Sequence, residues 1–412
     1  MELYHEEYAK PLQLGLNLLE KSNIVFYGPE EYLLRDWRFL CMIPLQTLHY
    51  ISLTAYIVKL LIEGGDLFEK PDMIPLWLVN TEYWIKSLIL LFKREEMREV
   101  INKLGSTWRS DGLNKKQTLI KNVALKRLYY GEKVFIKLGQ VVAWQYLLLP
   151  LYETVIRKLV LNQSVELELP MASLYPFKIT SWPVYLAVYF VQIYCTFRVV
   201  YVYLGVGWLT VVLTSHLIVK FLLLQEDLKH IYPKQKGENK YCNEFVNEGE
   251  TTTRQHRSSD LFTFVKRHQN SILLTHKLDE CFNKLTFTIL LFATLIICFF
   301  ALAGKASSGS AHAVKNYGAI IIVMMNIFIL CYYSQLLSFA SRGIALAAAD
   351  TLWYKGGLNY QKIIHIVIMR SQKPCSLTTF RLFPIGLETF NMVVKTTWSY
   401  FSLVSQLYDE RD

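Results

Sequence analysis

From residue 39 onward the chain is a succession of apolar windows, at about 39–62, 73–92, 134–156, 182–224, 287–303, 316–340 and 384–407, most of them near the ~20 residues that a helix needs to cross a hydrocarbon core. Hydrocarbon offers no partner to a backbone N–H or C=O, so windows of this kind are confined to helices that satisfy their own backbone. The expectation is an all-α membrane protein with seven transmembrane helices. Residues 1–37 carry Glu2, Glu6, Glu7, Lys10, Glu20 and Lys21, with no apolar core leading to a small-residue cleavage site. No cleavable signal peptide is therefore expected, and the first span targets the chain.

The fourth window is too long for one crossing, since 43 residues of helix extend ~65 Å at 1.5 Å per residue, about twice the hydrocarbon thickness. It is either a hairpin turning at Gly205-Val206-Gly207 or one helix that continues into solvent, with Lys220, Glu226 and Lys229 at the wet end. Charge decides between them. With seven spans and the N-terminus inside, Lys and Arg number 4, 11, 10 and 6 in the inner segments 1–38, 93–133, 225–285 and 341–383. The outer segments hold few: Lys70 alone in 63–72, three in 157–181 and two in 304–316. The positive-inside rule favours this arrangement, with the C-terminus outside and the fourth window as one long helix. A net charge of +10 is then an orientation signal, not a nucleic-acid footprint. Asn162-Gln163-Ser164 is a glycosylation sequon, and Asn162 falls on the outer side in this topology.

Catalytic and metal-binding patterns are missing. The nine histidines show no His-x3-His or His-Glu-x-x-His spacing, and no Gly-x-Ser-x-Gly or P-loop order occurs. Gly304 to Ser310 has a loop-like composition without the P-loop order. Seven scattered cysteines form no Cys-x-x-Cys pair, so neither a disulfide framework nor a zinc site is expected. The chain is read as no enzyme, with no cofactor and no metal. The topology is the inverse of the G-protein-coupled receptors, and neither an Asp-Arg-Tyr at the end of the third span nor an Asn-Pro-x-x-Tyr in the seventh is present.

The C-terminal segment carries a more specific signal. Residues 359–372 read as a helix, Lys373-Pro374 as a break, and the last window ends in Ser399-Tyr400-Phe401-Ser402-Leu403, preceded by Leu377-Thr378-Thr379 and Leu387-Glu388-Thr389-Phe390. This run, with the span count and inverted topology, resembles the insect odorant receptors, seven-helix ligand-gated cation channels. Ser399-Tyr400, five residues, then Gln406-Leu407 also gives part of the gustatory-receptor motif, without its final Phe. A gustatory-type channel is therefore the alternative; a transporter would call for an inverted repeat, and the two halves show no such similarity. The segment between the fourth and fifth windows is short by the standard of the co-receptor, which points to a ligand-specific tuning subunit.

The resemblance implies a division into residues 1–340, with six membrane helices, an outer-half ligand pocket and cytoplasmic loops, and 341–412, with a cytoplasmic helix at about 359–372 and a pore helix at about 384–407. It implies a pocket for a small volatile odorant or pheromone in the outer halves of the second, third, fourth and sixth spans. Those halves hold Trp77, Asn80 and Tyr83; Trp144, Gln145, Leu148 and Tyr152; Tyr185, Tyr189 and Gln192; and Met324, Met325 and Phe328. Aromatic and Met walls suit recognition by shape. It further implies that Leu403 forms an apolar gate, with Ser399 and Gln406 near the same face. It also implies assembly with the co-receptor through an anchor at the inner ends of helices four to seven, including residues 261–285 and 359–372, in the plasma membrane of a sensory neuron. Arg198, Lys137, Glu153 and Lys395 are charges inside windows, each needing a partner or water; for Arg198 an acidic partner is the expected structural role. Residues 230–259 read as a mobile polar stretch.

Overall fold

The computed structural model describes residues 5–27, 32–63, 72–156, 169–177, 179, 181–231, 249–307 and 310–409. They form ten α-helices, α1 (Glu6–Lys21), α2 (Tyr32–Ile62), α3 (Met73–Phe92), α4 (Arg94–Ser106), α5 (Lys115–Val155), α6 (Trp182–Ile231), α7 (Gly249–Ala306), α8 (Ser310–Ala349), α9 (Leu358–Ser371) and α10 (Leu387–Asp409). Five of them, α2, α5, α6, α7 and α8, are long and apolar enough by themselves to cross a membrane. With α3 and α10, which dilute their apolar residues with charge, they make up the seven. Asn162 lies outside the described residues.

The fourth window is a single helix of 50 residues, ~75 Å long, and no turn interrupts it at its glycines. Those glycines serve close packing instead. A Cβ on Gly205 would stand 3.0 Å from the Leu19 side chain and 3.3 Å from the Gly15 carbonyl of α1, and one on Gly207 would stand 2.4 Å from Asn326 Oδ1 of α8. Small residues let helix backbones approach in this way. α6 is the hub: 89% of its most apolar stretch is buried. Gly207→Val is expected to force α6 from α8 and to cost about 1–3 kcal/mol as overpacking, read as a lowered melting temperature of the purified protein. An unchanged melt would show that this contact is loose.

Several helices outrun their apolar windows. α5 begins 19 residues before the third window, at a capping box in which the Asn114 side chain accepts from the Gln117 N–H (2.7 Å) and the Gln117 side chain from the Asn114 N–H (3.1 Å). α7 starts at Gly249, so the last part of the stretch read as mobile is helical, while residues 232–248 lie outside the described residues. The long helices extend beyond the membrane-crossing stretches toward one end, which carries α4, the start of α5, the ends of α6 and α8, and α9. This is termed the basic end.

α1, in the segment expected on the inner side, is buried in the bundle. Leu12, Leu16 and Leu19 share one helical face and pack along α6, and Tyr8 donates a hydrogen bond to the Ile101 carbonyl of α4 (2.5 Å). Glu7 pairs with Lys121 of α5 at 2.6 Å. Arg198 has a different partner from the acid expected of it: its Nη2 donates to the Ser22 carbonyl at the end of α1 (3.0 Å), and its guanidinium lies by the rings of Phe39 and Tyr194. A carbonyl and ring faces suffice because the guanidinium is delocalised and weakly hydrated.

Ahead of α10 stands a feature absent from the sequence reading, a two-stranded antiparallel hairpin, β1 (Thr378–Thr379) and β2 (Phe383–Pro384), with Thr378 opposite Pro384. Its turn holds Phe380 and Arg381 at φ 47° and 59°, a left-handed region in which non-glycine residues are uncommon. The Asp279 carboxylate of α7 accepts from the Thr378 N–H (2.6 Å) and hydroxyl (2.7 Å) and so fixes the hairpin to α7. Burial pushes the Asp279 carboxyl up, with the two Thr378 donors opposing it. Because Phe383 and Pro384 are spent on β2, α10 starts at Leu387, three residues after the expected start.

Candidate functional site

Away from the basic end, five helices leave a gap that their side chains do not fill. Gly139, Val142, Ala143, Tyr146 and Leu147 of α5 recur every three or four residues and therefore share one face, with Gly139 thinning it. Opposite stand Thr196, Val199, Val200 and Tyr203 of α6, with Asn80 of α3, Phe300 of α7 and Ile322 and Val323 of α8. Pro170 and Met171, in the connection before α6, also line it. The cavity measures about 120 Å³. An engineered apolar cavity of ~150 Å³ accommodates benzene, which sets the scale of ligand that such a space holds.

Its polar equipment is sparse. Asn80 Nδ2 donates to the Leu76 carbonyl (2.9 Å), while its Oδ1 is buried without a hydrogen-bond partner. The Thr196 hydroxyl is committed to the Gln192 carbonyl (2.7 Å) and the Tyr146 hydroxyl to Asn316 Oδ1. Asn80 Oδ1 and the Tyr203 hydroxyl, both on lining residues, are thus buried without a hydrogen-bond partner in a wall that is otherwise largely apolar.

Of the thirteen side chains expected at a ligand pocket, Asn80 lines this cavity. Gln192 shapes it from behind: its Oε1 accepts from the Met171 N–H (3.1 Å) and its Nε2 donates to the Met171 carbonyl (3.0 Å), which seats the connection before α6. Tyr189 donates to the Leu147 carbonyl and so ties α6 to α5, and its ring is tilted against that of Tyr185 on the same helix, with centroids 5.5 Å apart. Trp77 donates to the Thr54 hydroxyl of α2 (3.1 Å), and Tyr83 is buried edge-on to Trp84. Gln145 reaches toward Gly318, and Met324 and Met325 sit two positions past the wall residues Ile322 and Val323, respectively.

The other four turn outward. Trp144 and Leu148 lie on the exposed face of α5, Tyr152 is 64% exposed, and Phe328 packs on Phe390 of α10 with centroids 5.4 Å apart. The neighbours Ala143 and Leu147 face inward because one residue turns a helix by ~100°. Tyr146, Leu147, Val199, Tyr203 and Phe300 were missed. The α5 set recurs at i, i+3/i+4 from Gly139, but so does every other face of that helix, and Phe300 stands on the fifth span, outside the helices that the resemblance named.

At the end of the bundle near this cavity, Lys315 pairs with Asp72 (2.7 Å), and Glu153, one of the charges inside windows, faces His312 (3.0 Å). Lys137 is exposed on α5. On α10, Lys395, Ser399, Leu403 and Gln406 form an exposed stripe, with Leu403 57% accessible and the Ser399 hydroxyl donating to the Lys395 carbonyl (3.1 Å). The opposite face of α10, including Val393 and Thr397, is buried; the helix packs on α7 and α8.

Known proteins share this architecture. The olfactory receptor OR5 from Machilis hrabei, solved in complex with eugenol, superposes with a TM-score of 0.77 at 16% identity, covering 97% of this chain and 98% of that one. A second structure of the same receptor gives 0.75. In sequence, the chain is 23% identical over 150 residues to Odorant receptor 85b of Drosophila melanogaster and 22% identical over 157 residues to Odorant receptor 10 of Aedes albopictus. These alignments cover 36% and 38% of this chain and span well under half of those relatives' length, 38% and 42%. The family model for 7tm odorant receptors matches residues 78–398, more than three-quarters of the sequence. That is a receptor family and not an enzyme family, and the chain belongs to it.

Proposed function

We propose that this chain is a ligand-specific odorant receptor subunit, which binds a small volatile, mostly apolar ligand in the 120 Å³ cavity and gates a cation pore together with a co-receptor. The observation that carries the reading is the cavity: largely apolar walls from five helices, with Asn80 Oδ1 and the Tyr203 hydroxyl as sparse unpartnered polar groups, suit recognition of shape and of a ligand polar group. The likeness to a receptor solved with eugenol supports a ligand of that size class. The exposed stripe on α10 supports the pore half of the proposal, because Leu403 from several subunits would make an apolar neck that blocks ions by dewetting. The positive-inside rule supports a cytoplasmic basic end, and the family supports a place in the plasma membrane of a sensory neuron.

Recording from cells that express the chain with and without an insect co-receptor, against a panel of volatiles, tests this. Inward cation current that requires both chains is the expected result, with Asn80→Leu shifting the potency of alcohols and phenols at least tenfold and that of hydrocarbons little. Silence of a surface-expressed pair across the panel, or full current from this chain alone, would overturn the tuning-subunit reading.

A further inference from the structure

A second cavity, about 310 Å³, lies at the basic end between the C-terminal turn of α4, α6 and α7. Its wall includes Thr107, Arg109, Lys220, Arg267 and Asn270, with Trp108 on its apolar side. It is separate from the first cavity, whose α6 residues run from Thr196 to Leu204. Volumes from ~300 Å³ upward are typical of ligand sites.

The charges here do not cancel. Asp227 accepts from Arg109 (2.6 Å) and Gln117 Nε2 (2.7 Å) and lies 3.7 Å from Arg267. Lys116 and Lys229 are engaged elsewhere, both on Glu226, at 3.1 and 2.8 Å. Within the wall itself three cations, Arg109, Lys220 and Arg267, thus meet one neighbouring carboxylate, Asp227, an excess of two positive charges. Lys220 is the least compensated. Its Nζ donates to the Thr107 hydroxyl, and among the described residues no carboxylate lies within 4.0 Å of it. An ammonium withdrawn from water with a neutral partner alone is costly, and an anion relieves it.

We infer that this cavity binds a phosphate-bearing anion, with Lys220, Arg109 and Arg267 on the phosphate oxygens and Thr107 and Asn270 as neutral polar partners. Guanidinium forks and an ammonium converging on one space match phosphate geometry. The apolar side of Trp108, Leu223 and Leu224 suits a ligand that also carries hydrocarbon, as a lipid headgroup does. A bound anion would tie α4, α6 and α7 together at the basic end. The inference is independent of the odorant reading.

The test uses the full chain in detergent and measures binding by thermophoresis with dioctanoyl phosphatidylinositol 4,5-bisphosphate, inositol 1,4,5-trisphosphate and, as neutral control, dioctanoyl phosphatidylcholine. Saturable binding of at least one phosphorylated probe, weakened tenfold or more in both Lys220→Met and Arg267→Gln, is expected. Preference for the lipid over the trisphosphate would assign a lipid headgroup, and equal binding a soluble phosphate. In the absence of probe, Lys220→Met is expected to melt at or above the unmodified protein, since it removes an uncompensated charge. Should Lys220→Met not fold, Arg267→Gln decides, because Arg267 is half-exposed. Failure of both phosphorylated probes to bind, binding of phosphatidylcholine as tightly, or undiminished binding in a folded variant would overturn the inference.

Discussion

Glu82→Leu alone is expected to abolish the folded protein, and Glu82→Leu combined with Lys86→Met to restore it. The two side chains stand one turn apart on α3, with Lys86 Nζ 2.5 Å from Glu82 Oε1 and relative accessibilities of 1% and 2%. The ammonium also lies over the Tyr203 ring of α6, 4.4 Å from its centroid. Removal of the carboxylate strands a charge among apolar helices at a cost of about 3–5 kcal/mol, whereas replacing both partners by apolar groups of similar volume is close to neutral. Size-exclusion profiles and melting temperatures in detergent distinguish the cases. A single variant that elutes and melts like the unmodified protein, or a double variant that fares no better than the single, would show that the pair is not what these helices depend on.

The second large effect is expected at the cavity. Ala319→Phe places a phenyl ring, about the payload that a ~150 Å³ cavity takes up as benzene, into the 120 Å³ space that Ala319 lines. Ligand-evoked current should fall by at least a hundredfold, while the melting temperature holds or rises, as cavity-filling substitutions commonly add about 0.5–2 kcal/mol. A variant that folds and responds at normal ligand concentrations would place the binding site elsewhere. A matched control is Leu148→Phe, on the outward face of α5; it should leave the response unchanged.

How much of this was legible beforehand differs between the windows and the faces. The seven windows, the long fourth helix and the C-terminal signature are local properties of the chain, and length and charge asymmetry sufficed to choose one helix over a hairpin at Gly205 and Gly207. Helix ends were less legible: polar residues carried α5 and α7 well past their apolar windows, because packing at the basic end, not hydropathy, holds them. The hairpin at 378–384 gave no sign either, since Phe380 and Arg381 adopt left-handed backbone without glycine.

The sequence by itself therefore determined the class, the span count and the family signature, since each follows from hydrocarbon thickness, backbone self-satisfaction and linear motif. Only the tertiary structure decided which side chains share a space. A membrane helix is apolar on all sides and no periodicity distinguishes its inward face, so Ala143 and Leu147 could not be told from Trp144 and Leu148 before α6 and α8 were set against α5. The burial of α1, the Lys86 to Tyr203 contact and the uncompensated Lys220 have the same origin: each depends on groups far apart in sequence, which only packing brings together.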